Sequence, residues 1–279
     1  MKDTCLIVEG GGFKTGFTAG LLDAFMSCGY DPFDKYIAVS GGTVALSYFL
    51  SGQYRTCVKA IKVLAKDKQF VMYRRTFGKE GYMDIDFLAQ VAAEKAPFLL
   101  DDAIKNSKKK KVHFVATDVK TGAAAYLEPK KKNWIDAIVA SSTLPFVTKG
   151  RHKVEGRAYF DGGWSDSLPV KWAYKQGARK IILLRTHPAG KRFKQNWSDY
   201  FGSIYHNPNS ELGKVFANNS KRYNKSLDFI ENPPKDLVIH QLAPKNVLKS
   251  TTYSYTNKTI MSDYRYGLDQ GLIFVNQNK

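Results

Sequence analysis

A chain of 279 residues, 43% of them apolar and including 17 Phe and 16 Tyr, can build one large α/β domain or two small ones. Its 43 Lys and Arg against 25 Asp and Glu leave a net charge of +18, which draws polyanions such as nucleic acid or anionic lipid headgroups. Cys5, Cys28 and Cys57 have no metal-ligand spacing and argue against a disulfide framework, and no apolar run makes a signal-peptide core or reaches the roughly 18 residues that span a bilayer, so the chain reads as soluble and cytoplasmic.

In chain order, the apolar run at 4–8 is predicted as a buried strand and 15–27 as a helix, with Gly10, Gly11 and Gly12 between them. Residues 36–39 form a second short strand, and GGTVALSYFLSGQ after it reads as a helix. Residues 55–107 look mainly helical, with helical spacing in DIDFLAQVAAE. KKKKVHFVATDV and AAAYLEP read as strands, and NWIDAIVASSTLPF as a helix stopped by Pro145. RAYFDGGWSDSLPVKWAYKQG is strand, tight turn and a helix opening at Pro169; ARKIILLRT is another strand. This alternation predicts an α/β sandwich over residues 4–187. From 188 the composition shifts toward Lys, Asn, Tyr and Gly, and 188–279 is expected to pack on the same sheet with a helix over 212–230, a strand in DLVIHQLAP and a last helix over 262–275.

Strand, glycine turn and helix N-terminus together present free N–H groups and a positive dipole end. A dinucleotide fingerprint is a poor fit, because Gly16 falls one place late, and a P-loop fails because Phe13 precedes Lys14 and Thr15. The third use of such a turn is an oxyanion hole, which needs a nucleophile nearby. YIAVSGGTVAL supplies Ser40 at the end of a strand, with Ala38 and Gly42 in the positions of the G-x-S-x-G elbow; the plain alternative is a helix N-cap serine. For a base, His187, His206 and His240 lack distinctive flanks, whereas Asp161 ends a strand and is followed by Gly162 and Gly163 in a tight turn.

EGGGFKTGFTAGLLDAF, AVSGG, ASSTLPF and YFDGGWSDSLP, in this order over about residues 4–186, together resemble the patatin-like phospholipase family. RYNKSLDFIE and YRYGLDQGL are similar to its bacterial branch with a C-terminal extension. The resemblance implies a three-layer α/β/α sandwich with a Ser–Asp dyad and no histidine. It makes Ser40 the nucleophile, Asp161 the base and the amides of Gly10, Gly11 and Gly12 the oxyanion hole, with Lys14, Ala38, Gly42, Gly162 and Gly163 in support. The family loop usually has Arg and Gly where Lys14 and Thr15 stand, and Gly where Ala38 stands. The expected function is a serine lipid acyl hydrolase acting on phospholipid or other acyl esters; the alternative is a weak or idle lipid- or anion-binding module of the same fold. No His, Cys, Asp or Glu cluster has metal spacing, so no metal or cofactor is expected. The basic runs at 108–111 and 130–132 lack the interleaved aromatics of a nucleic-acid surface and point instead to a peripheral anionic membrane.

Overall fold

The computed structural model describes residues 3–67, 70, 83–145, 147–194 and 197–278, without the side chains of 197 and 198. Eight strands form one mixed sheet: β1 (Thr4–Val8), β2 (Lys35–Val39), β3 (Lys111–Asp118), β4 (Ala124–Leu127), β5 (His152–Val154), β6 (Arg157–Asp161), β7 (Lys180–Leu184) and β8 (Val238–Leu242). The parallel body runs β3-β2-β1-β7-β8. On each central strand alternate residues point to opposite faces. Leu6, Val8, Tyr36, Ala38, Ile182 and Leu184 join one apolar cluster, and Cys5, Ile7, Ile37, Val39, Ile181 and Leu183 join the other. Sheet strands buried on both faces need helices on both, hence three layers.

The helices are α1 (Thr15–Ser27), α2 (Gly41–Leu50), α3 (Thr56–Lys66), α4 (Phe87–Gln90), α5 (Leu100–Ser107), α6 (Trp134–Ser142), α7 (Val170–Lys175), α8 (Trp197–Tyr205), α9 (Glu211–Ala217), α10 (Asn219–Glu231) and α11 (Asn257–Asn278). The first six and α11 contribute to the cluster on one face; α7 and α10 cover the other. α11 lies directly on α1 through small residues. A Cβ added at Gly20 would overlap the carbonyl oxygen of Tyr264, one at Gly267 would overlap that of Phe17, and one at Gly16 would stand 3.2 Å from that of Ile260. The two backbones are therefore in contact.

The connections of β3 matter most for the site. On one side it pairs with β4. On the other it pairs first with β2 and then with β6: Val115 faces Val39, and the next residue, Ala116, faces Asp161. β6 thus begins its pairing where β2 ends, and the residue after Val39 is Ser40.

Two expectations, the helices over 212–230 and 262–275, are corrected, and two elements, α8 and β5, are added. The single helix over 212–230 is two, α9 and α10, because Asn218 leaves helical geometry at φ −106°, ψ 9° and bonds Lys214 O with its own amide. The polar stretch after 188 carries α8, and β5 forms a hairpin with β6 across the positive-φ pair Glu155 and Gly156. The last helix is longer than 262–275, running Asn257–Asn278. Part of the helical reading of 55–107 falls on 68, 69 and 71–82, outside the described residues.

Candidate active site

Ser40 stands between β2 and α2 with φ 52° and ψ −133°, a conformation a non-glycine residue adopts only under constraint. The constraint is visible. Its N–H donates to Ser141 Oγ at 2.8 Å, Ser141 Oγ donates to Val115 O at 2.6 Å, and both the N–H and the hydroxyl of Thr43 donate to Ser40 O. Such a turn lifts the side chain off the strand. Ala38 is fully buried in β2. Gly42 serves packing: a Cβ there would lie 2.7 Å from Val8 O and 2.9 Å from Glu9 O, so its absence lets α2 sit against the end of β1.

Ser40 Oγ donates to Asp161 Oδ2 at 2.6 Å. Asp161 is held by Gly163 N–H donating to Oδ1 at 2.7 Å, by its own N–H on Thr143 O at 2.8 Å, and by Thr117 Oγ1 donating to its carbonyl at 2.8 Å. Gly162 is required because a Cβ would overlap the Val115 carbonyl oxygen. Burial pushes the Asp161 carboxyl up to about 6, against the lowering pull of the Ser40 and Gly163 donors. The carboxylate is therefore ionised at neutral pH yet basic enough to take a proton.

The three glycines have separate reasons. A Cβ at Gly10 would stand 2.7 Å from Ser40 Cβ, and one at Gly11 2.7 Å from Thr186 Oγ1. Gly12 has φ +55° and would meet Thr252 Oγ1 at 2.8 Å. The loop is pressed between the serine elbow and the end of β7 before any substrate arrives. The amides of Gly10, Gly11 and Gly12 donate to no group among the described residues.

Behind the loop lies a charged cluster. Glu9 is 3% exposed. Burial pushes its carboxyl up, but His187, Arg185 and the Tyr223 hydroxyl outweigh this and hold it down at about 2. Its Oε1 contacts His187 Nδ1 at 3.1 Å and accepts from Tyr223 at 2.7 Å; its Oε2 accepts from Thr186 N at 2.6 Å. Lys14 does not reach toward Ser40's partner: its Nζ lies 2.6 Å from His187 Nε2, and burial lowers its pKa. Thr15 is buried with its hydroxyl unpartnered among the described residues. His187 has both ring nitrogens engaged, and neither His206 nor His240 lines the cleft above Ser40, so the side chain that bonds Ser40 Oγ is Asp161.

A cavity of about 390 Å³ opens over Ser40, Asp161 and Gly10–Gly12. Its lining includes the apolar side chains of Val44, Ile61, Leu64, Met83, Leu88 and Leu144 and the polar ones of Lys14, His187, Lys194, Asn219 and Tyr223. Apolar and polar groups in one cleft suit an amphiphile. Among the described residues no group of three or more His, Cys, Asp and Glu could hold a metal, and no helix is long and apolar enough to cross a membrane. Sequence reasoning missed Ser141, Thr143, Thr186 and Glu9 as site residues. ASSTLPF contains the first two, and the charged residues Glu9 and Arg185, each ending a buried strand, were the available signal for the rest.

An α/β/α sandwich with a constrained serine at the end of its second strand defines a serine-elbow protein of α/β type. The description "Patatin-like phospholipase" fits residues 6–174, and a domain of unknown function (DUF6363) fits residues 209–279. The chain belongs to the patatin-like phospholipase family, which supports lipid acyl hydrolysis at the level of the family. It is 31% identical over 275 residues to the uncharacterized protein YjjU of Escherichia coli (strain K12), covering 97% of this chain and 76% of that one. VipD from Legionella pneumophila is similar in structure, with 11% identity and a TM-score of 0.46, over 99% of this chain and 67% of that one.

Proposed function

We propose that the protein is a serine acyl hydrolase that releases fatty acid from phospholipids or related esters. The observation that carries this reading is the 2.6 Å hydrogen bond from Ser40 Oγ to Asp161 Oδ2 at the base of an apolar-walled cavity. Ser40 Oγ attacks the acyl carbonyl as its proton passes to Asp161. The negative charge on the carbonyl oxygen is met by amides of the Gly10–Gly12 loop. Collapse expels the alcohol, which takes the proton from Asp161 and leaves an acyl-serine. Water, deprotonated by Asp161, then hydrolyses that ester and Ser40 recovers its proton. A base held near 6 can both accept and return a proton around neutral pH.

The surface it works on is proposed to be anionic lipid, a reading supported by the net charge of +18. The two lysine runs flank the start of β3 and the end of β4, beside Lys35 at the start of β2. Ser40 is five residues farther along, roughly 16 Å at the usual rise. The runs can therefore add to long-range attraction without lying at the mouth of the cavity.

A fluorophosphonate probe tests the chemistry. Covalent labelling of the wild-type chain at Ser40, lost in Ser40→Ala together with release of fatty acid from a panel of p-nitrophenyl esters and phospholipids, is expected. Absent labelling would mark an idle lipid-binding module, and equal labelling of Ser40→Ala would remove Ser40 as the nucleophile.

A further inference from the structure

β1 lies between β2 and β7 in the sheet. The loop that leaves β1 must therefore run between Ser40, the residue next after β2, and Arg185 to His187, the residues next after β7. Thr186 Oγ1 donates to Gly10 O at 2.6 Å. No peptide bond among the described residues is cis. In a trans peptide the C=O of one residue and the N–H of the next point in opposite directions. With the Gly10 carbonyl turned to the β7 side, the Gly11 N–H is turned to the β2 side, where Ser40 stands.

A peptide flanked by glycines is the kind most free to flip, because neither neighbour has a Cβ to resist it. Gly10 and Gly11 allow the close approach, but they leave the orientation of their shared peptide unspecified. Thr186 specifies it. Its own position is fixed by its N–H on Glu9 Oε2 at 2.6 Å, and Glu9 is the last residue before the loop. The far end of the loop is tied down as well. Lys14 N donates to Gly11 O at 3.0 Å, and Lys14 Nζ lies 2.6 Å from His187 Nε2. The Glu9 carboxylate can only accept and the Lys14 ammonium can only donate, so His187 carries its proton on Nδ1 and offers the Nε2 lone pair to Lys14.

We propose that Thr186 and His187 are positioning residues of the oxyanion hole: Thr186 aims the Gly11 amide at the acyl oxygen, and His187, oriented by Glu9, anchors the other end of the loop through Lys14. Neither touches a reacting atom. The inference rests on the hydrolase reading and adds to it where the hole's geometry comes from.

The test is steady-state kinetics on a soluble ester, p-nitrophenyl butyrate, with thermal midpoints measured in parallel. Thr186→Val keeps the shape and removes the donor. It is expected to lower kcat by about 100-fold, the lower end of what one lost oxyanion donor costs, with KM within about twofold. Thr186→Ser is expected to restore most of kcat, and Thr186→Cys, a weak donor, to fall between. His187→Leu is expected to lower kcat at unchanged KM, with recovery in His187→Gln, whose amide can accept from Lys14 and donate to Glu9. If kcat in these variants follows the thermal midpoint and not the presence of a donor, or if Thr186→Val keeps kcat within about twofold of wild type, the proposal is overturned. That outcome is distinct from failure of the hydrolase reading, in which Ser40→Ala would hydrolyse the ester as fast as wild type.

Discussion

Asp161, the proposed base, should make the folded chain less stable than it could be. Asp161 is 3% exposed, and its carboxyl is pushed up to about 6 from an ordinary 3.8, chiefly by burial. The folded chain therefore holds this proton more tightly than the unfolded chain does. The associated stability is fully present below about 4 and is lost as pH rises through about 6. The difference corresponds to about 3 kcal/mol at neutral pH. Asp161→Asn removes the charge and keeps the shape, and its side-chain oxygen can still accept from Gly163 N–H. The variant should be inactive, yet more stable than wild type by up to about 3 kcal/mol at pH 8, with the gap closing toward zero at pH 4. Equilibrium urea unfolding of both chains at pH 4, 6 and 8, followed by tryptophan fluorescence, measures that gap. A gap independent of pH, or a wild-type chain more stable at pH 8, would refute the argument that desolvation of Asp161 sets its basicity.

The same carboxylate predicts that kcat/KM on a soluble ester falls about tenfold per pH unit below about 6, and a flat profile down to pH 4.5 would remove Asp161 as the base. Gly162→Ala should destabilise the fold by at least about 1–3 kcal/mol, since the added methyl overlaps the Val115 carbonyl oxygen; Gly163→Ala, whose nearest neighbour is Asp161 Oδ1 at 3.0 Å, should cost less, and equal thermal midpoints would contradict this. Replacing the lysines at 108–111 and 130–132 by Gln should weaken binding to anionic vesicles at low salt, about 1 kcal/mol for each lysine that nears the leaflet, and leave soluble-ester hydrolysis unchanged; equal vesicle binding would dissociate the runs from the membrane. Turnover should survive a chelator, and full loss restored by one metal ion would show that the dyad is not sufficient.

Local pattern carried a large part of the fold. β1, α1, β2 and α2 lie where apolar runs and glycine turns predicted them, because each is decided by residues close in sequence. Ser40 and Asp161 could also be singled out, since each ends a strand at a tight turn. Their juxtaposition was legible only through resemblance: it depends on β3 pairing Val115 with Val39 and Ala116 with Asp161, a register no local window contains. The purpose of the glycines was legible only in part. Close approach was expected, but the groups approached are Ser40, Thr186 and Thr252, brought in from three distant segments. The positions of Thr186 and His187 beside the glycine loop were not legible locally, because they arise from β7 lying beside β1; the charge of Arg185 at a strand end was the nearest signal. In the stretch after residue 188, α8 went unseen although Trp197, Tyr200, Phe201, Ile204 and Tyr205 fall at helical spacing, because Lys-, Asn-, Pro- and Gly-rich sequence flanks so short a helix.

The glycine contact between α1 and α11 has a consequence for the order of events in a cell. α1 begins immediately after the loop that shapes the site, and its outer surface is finished by residues near the other end of the sequence, with backbone resting on backbone. During synthesis the first helix emerges long before residues 257–278 are made. Until they arrive, Gly16 and Gly20 face water, and contacts this far apart in sequence are slow to form. The site should thus mature only after translation of the last helix. A chain cut before residue 257 would leave this face of α1 uncovered, and exchange of the 257–278 segment between relatives would succeed only where small residues meet small residues across this seam.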